Sequence, residues 1–125
     1  MQEGPGGHHG PGSLVILDPR AEDGPIATVP VGIDPYHLAV EGDRLAVVTK
    51  QSVIVLRDAR TLGKSYPNKP DHYDAFYVPR LSYYTGQLDL HDLTFHGGGN
   101  NLLAVNTLFS CLARIDGEYS FTPVW

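Results

Sequence analysis

Asp89–Ile115 reads DLHDLTFHGGGNNLLAVNTLFSCLARI, and its punctuation decides the fold. Leu90, Leu93 and Phe95 carry the apolar side of a first short strand. Gly97, Gly98, Gly99, Asn100 and Asn101 supply a turn. Leu102–Val105 form a second strand, Thr107–Ser110 a bend, and Cys111–Ile115 a third strand. Apolar runs of this length between Gly- and Asn-rich turns are the pattern of antiparallel hairpins. The order occurs once before, in YHLAVEGDRLAVVTKQSVIVLRD from Tyr36 to Asp58. Leu38 falls with Leu93, Ala46-Val47 with Ala104-Val105, Ser52 with Ser110, and Asp58 with Asp116. A period of about 55 residues, growing by about three across the longer glycine turn, belongs to propeller blades rather than helical repeats.

Working outward, the earlier copy divides into strands at His37–Val40, Leu45–Thr49 and Ser52–Leu56, joined by turns at Glu41–Arg44 and Lys50-Gln51. Before it, Ser13–Asp18 and Ile26–Val31 read as a strand pair, with Pro30 marking an edge position. GIDPY crosses from this pair into the next blade. Met1–Gly12 is Gly- and Pro-rich without periodicity and reads as a flexible tail; His8 and His9 there make a poor metal site. Ala59–Pro70 reads as a loop. Tyr73–Val78 is a further strand that Pro79 ends, Ser82–Thr85 pairs briefly, and Glu118–Trp125 is an outer strand. No helix is expected.

The 125 residues suffice for one modest core. The net charge of −5 is dispersed and no basic stripe exists, which argues against a nucleic-acid groove. Arg57, Arg60 and Lys64 read as a solvated sheet edge. Cys111 is the single cysteine, so no internal disulfide forms, and its apolar setting predicts a buried structural thiol. No secretory leader begins the sequence, and no apolar run reaches the ~18 residues of a membrane span. A cytoplasmic location without membrane partners is the expectation.

The blade rhythm resembles that of NHL, YVTN and gluconolactonase-like propellers. A closer resemblance covers Asp71–Trp125. The phrases YDAFYVPR, TGQLDLHD and NTLFSCLA resemble the signature segments of a bacterial family of conserved hypothetical proteins, a domain of unknown function. That resemblance implies a β-propeller fold with no assigned activity. It also implies members several times longer, continuing into further blades beyond the equivalent of Trp125.

Asp89, His91 and Asp92 form the densest polar group on a strand. In a propeller, the first strand of each blade lines the channel and its start faces the mouth. Strand alternation places Asp89 and His91 on one face and Asp92 on the other. An Asp–His pair so placed either orients the imidazole as base or ligand or hydrogen-bonds the neighbouring blade. Tyr36 and His37 occupy the matching positions one blade earlier, where Tyr36 aligns with His91 and His37 with Asp92. Two roles fit Arg80: gripping a carboxylate or phosphate with its planar fork, or pinning a blade through Asp74 or Asp89. Asn106, Thr107 and Ser110 read as turn-capping residues. Gly97–Gly99 is no phosphate loop, because a strand follows it. Tyr73, Phe76, Tyr77, Tyr83 and Tyr84 are expected to pack between blades.

The sequence therefore predicts an all-β partial propeller of two to two and a half antiparallel blades. Leu38, Val40, Ala46, Val47, Val53, Val55, Leu93, Phe95, Leu103, Val105, Cys111 and Ala113 are expected inside. The expected function is a binding or scaffold module without cofactor or metal, with candidate ligand contacts at Asp89, His91, Asp92, Arg80 and His37. The expected partners are a small molecule and either a complementary propeller fragment or a second copy, since the chain supplies about half of the smallest ring. The competing expectation is a lactonase-like enzyme with a polar or metal site in the channel.

Overall fold

The computed structural model describes residues 10–17, 19–20, 22, 24, 27–65, 67 and 75–125. Among them the alternating runs form ten strands in three antiparallel sheets, with one five-residue helix. β1 (Pro11–Ile16) pairs with β2 (Ala27–Ile33). The second sheet runs in chain order through β3 (His37–Glu41), β4 (Arg44–Val48), β5 (Ser52–Asp58) and β6 (Tyr77–Tyr84). The third repeats that order in β7 (Leu90–Phe95), β8 (Leu102–Asn106), β9 (Cys111–Ile115) and β10 (Thr122–Pro123). Among the described residues no sheet closes on itself.

The expected strand cores of the two copies are present. Several boundaries differ for identifiable reasons. β1 begins at Pro11, inside the stretch read as a tail; Met1–His9 of that tail lie outside the described residues. A Cβ at Gly12 would stand 2.0 Å from the Pro35 ring, so only glycine lets β1 reach this place. β6 runs through Pro79 instead of ending there. It is an edge strand, and its register slips by one residue opposite Val55-Leu56, leaving Arg80 as the extra residue of a bulge. Proline is tolerated at such a position because no ladder bond is lost. The expected Tyr73–Val78 strand falls partly on residues outside the described set.

The segment after β5 holds a helix, α1 (Arg60–Lys64), where a loop was expected. No side chain caps its N-terminus, while at its C-terminus the Ser65 hydroxyl donates to the Thr61 carbonyl at 3.0 Å; tertiary contacts hold the start in place. The Ala59 N–H donates to the Phe76 carbonyl at 2.7 Å, and the Phe76 N–H donates to Asp58 Oδ1 at 2.9 Å. Gly63 packs so close to Phe76 that a Cβ would sit 2.7 Å from it.

Packing explains which apolar residues are inside. Ala46, Val48, Val53 and Val55 on one face of the second sheet meet Leu90, Phe95, Leu102, Ala104 and Ile115 of the third. On the opposite face, Leu45, Val47 and Leu56 meet Leu14 and Val31 of the first sheet. The guanidinium of Arg44 lies 4.6 Å from the Phe95 ring centroid, closing the outer end of the interface. Tyr83 Oη donates to the Asn100 carbonyl at 3.0 Å, tying β6 to the β7–β8 turn.

The expected burial of Ala46, Val47, Val53, Val55, Phe95 and Ala113 is observed. Leu93, Leu103 and Cys111 are half-buried. Leu38, Val40 and Val105 are corrections: they are 54%, 63% and 40% exposed. The reading assumed both faces of every sheet to be covered. That condition holds for β4 and β5, and fails over β3 and on the outward face of the third sheet.

The register also corrects the repeat. Leu38 pairs with Val47, and its counterpart Leu93 pairs with Ala104. Val47 is therefore the structural match of Ala104, and the expected Val47–Val105 match is one residue out. The tight turn after β4 closes on a bond from the Thr49 N–H to the Ser52 carbonyl, whereas Thr107–Ser110 form a wider loop.

Candidate functional site: the starts of the two inner strands

β3 and β7 are the first strands of their sheets and lie against each other. Their first residues carry the polar groups. Asp34 and Asp89, each two residues ahead of Tyr36 or His91, both adopt φ 49°. A left-handed backbone costs an L-residue about 1–2 kcal/mol, and Asp tolerates it better than most because its carboxylate bonds locally. Asp34 does so: its Oδ1 accepts the Gly10 N–H at 3.3 Å, and its own N–H donates to the Gly10 carbonyl at 3.2 Å. At Asp89 the carbonyl is the anchor, accepting the Thr107 N–H at 3.2 Å and the Thr107 hydroxyl at 2.8 Å.

The left-handed kinks bring two imidazoles together. The rings of His37 and His91 stand 5.9 Å apart, edge to face. A bulge aids this. Leu90 pairs with Asn106 and Leu93 with Ala104, so His91 and Asp92 together oppose Val105. The two-residue alternation therefore does not run through Asp89–Asp92. No hydrogen bond joins Asp89 to His91, and the pairing expected between them is replaced by the His37–His91 contact.

Tyr36 stands between the two aspartates. Burial pushes its phenol above the usual range, and the charges of Asp34 and Asp89 push the same way. A phenol so placed keeps its O–H available as a donor. Pro35, Tyr36, His37 and Leu38 line an open cleft of about 360 Å³ whose other wall is Ser13 and Leu14 of β1.

The other predicted residues are dispersed. Asp92 borders a shallow cleft with Thr94, Leu103 and Leu112 on the far face of the third sheet. Arg80 sits on β6, three strand spacings or ~14 Å from β3, and cannot join His37 and His91. Asp89 precedes β7 of the other four-stranded sheet, and no ion pair joins it to Arg80 among the described residues; Asp74, the other expected partner of Arg80, lies outside the described residues. Asn106 caps the turn as expected, its Oδ1 accepting the Phe109 N–H at 3.0 Å. Its buried Nδ2 has no partner among the described residues. Arg57 and Arg60 are paired with Asp43 and Asp58 at 2.7 and 2.6 Å, in keeping with a solvated edge. Among the described residues, no three His, Cys, Asp or Glu side chains are grouped to hold a metal ion, and no helix is long and apolar enough to cross a membrane.

The sequence reading missed Asp34. Its signal was available: Asp34 and Asp89 stand at the same 55-residue interval as Leu38 and Leu93.

A family model described as "Domain of unknown function (DUF4915)" matches residues 12–125. The chain belongs to that family. DUF4915 thus spans both four-stranded sheets and all but the first residue of the β1–β2 pair. No curated protein and no solved structure matches the chain.

Proposed function

We propose that this DUF4915 chain forms two blades and the outer half of a third in a β-propeller-type binding module, with its ligand mouth at the starts of β3 and β7. One observation carries the reading: repeat-related aspartates at the same left-handed φ precede inner strands whose histidines meet. Backbone strain retained at matched positions is commonly retained for a site. The stacking of the four-stranded meanders, each in chain order, supports the propeller part of the reading. The mouth offers a phenol donor, two carboxylates and two imidazoles, which suits a small polar ligand bearing hydroxyl or amine groups.

A ligand-observed NMR screen of sugars, sugar lactones and small amines tests this. A hit that shifts the His37 and His91 ring signals, and loses affinity in His91→Ala, supports the mouth. Hits that leave both rings unmoved contradict it. Turnover of a lactone that requires added divalent metal would replace the binding reading with the lactonase-like one.

A further inference from the structure

We infer that the edge of β1 that no described strand pairs, together with Leu38 and Val40 of β3, is a docking surface for a two-stranded β-hairpin with a small-aliphatic face. This extends the stacked-blade reading to its open side and requires no ligand at the mouth. The internal repeat shows what covers such a surface. Leu38 and Val40 pair with Val47 and Leu45, as Leu93 and Phe95 pair with Ala104 and Leu102. Leu93 and Phe95 are therefore their structural counterparts. In the third sheet these counterparts are covered by β3 and β4, which both contact β7. The covering residues are small: Ala39, Ala46 and Val48. Phe95 is accordingly 7% exposed, while Val40 is 63% exposed.

Among the described residues the first sheet has two strands, and their placement matches the third and fourth strands of the next sheet. Leu14 of β1 borders the cleft over Tyr36–Leu38, whereas Val29 and Pro30 of β2 border a second cleft over Ile54, Leu56 and β6. β1 thus lies inward and β2 outward, in the places that β5 and β6 hold in the next sheet. β1 pairs with β2 on one side, and no described strand pairs with its other edge. That edge presents unpaired backbone groups beside uncovered Leu38 and Val40. Such an edge is satisfied by strand addition, the backbone giving affinity and the apolar strip specificity. A hairpin whose second strand runs antiparallel to β1 would complete a four-stranded sheet in the same order as the other two. Its inward face would hold Ala- and Val-sized side chains, as β3–β4 does over β7.

The probe is a peptide of residues 37–48, the hairpin that covers β7, closed by a terminal disulfide and titrated into isotopically labelled protein. The expected result is a saturable shift of the Ser13 and Val15 amide signals and of the Leu38 and Val40 methyl signals. Val40→Asp, at an exposed position, should keep the native spectrum and weaken binding at least tenfold. Three results would each overturn the inference: no shift at these signals with millimolar peptide, equal affinity for Val40→Asp, or broadening of the same signals with protein concentration alone, which would assign the surface to a second copy. Because the readout lies on β1 and the open face of β3, its failure is distinct from failure of the ring-signal screen.

Discussion

Phe95 and Val40 hold matching register positions in the two four-stranded sheets, and they should respond very differently to truncation. Phe95 is 7% exposed, packs in the interface between the second and third sheets, and carries the Arg44 guanidinium 4.6 Å from its ring centroid. Truncating a buried Phe to Ala costs about 3–5 kcal/mol through lost transfer energy and the cavity left behind. Loss of the cation–ring contact adds about 0.5–1 kcal/mol. Val40 is 63% exposed, so little transfer energy is at stake. Val40→Ala should cost about 1 kcal/mol at most, mainly through lower strand propensity. Each kcal/mol moves the midpoint of a domain this size by about 3–6 °C. Phe95→Ala should therefore melt at least about 10 °C below the parent, and Val40→Ala within a few degrees of it. Far-UV circular dichroism is the suitable probe, because Trp125 is 92% exposed and its fluorescence will change little on unfolding. Equal shifts for the two variants would refute the assignment of one covered and one open face.

Three further outcomes follow from particular contacts. At Asp89, where φ is 49°, Asp89→Val should lower stability by about 1–2 kcal/mol relative to Asp89→Gly, measured by urea unfolding; equal stabilities would show that the left-handed backbone is not maintained. Cys111 is half-buried and borders an open cleft with Val105, Leu112 and Trp125, so it should react with an aromatic disulfide reagent before denaturant is added; silence until unfolding would mean that this face is covered. The hydrogen bond from the Glu118 N–H, helped by Arg114, holds the Asp116 carboxyl below the usual carboxylate range. A depressed folded-state pKa gives stability that is fully present above about pH 4 and is lost as the pH falls through the folded value. Asp116→Asn should therefore flatten the acid limb of a stability-against-pH curve and leave its neutral shape unchanged; an unaltered acid limb would contradict the bond.

Much of the architecture was legible in residue order, because turns such as Glu41–Arg44 and Gly97–Asn101 separate runs too short for anything but strands. What escaped was set by tertiary context. α1 has neither an N-terminal side-chain cap nor an apolar stripe, and Asp58 and Phe76 frame its position from outside. Pro79 lies within a strand because a bulge on an edge removes its penalty. The exposure of Leu38 and Val40 depends on how many strands lie above them, which their own apolar character does not encode. At the site, the sequence marks out His37 and His91 separately but not their contact. Strict alternation does not hold through Asp89–Asp92, where a left-handed residue and a bulge reset the faces. Arg80 belongs to the candidate set only by its place in the chain, and strand order puts it at the far edge.

The central claim is that the two sheets stack with β3 beside β7, bringing His37 and His91 together. A nuclear Overhauser spectrum of methyl- and histidine-labelled protein tests this directly. The predicted result is cross-peaks between the His37 and His91 rings, 5.9 Å apart by centroid, and between the Ala39 and Leu93 methyl groups. Absence of both, with Ala39 instead giving cross-peaks to Val105 on the outward face, would contradict it.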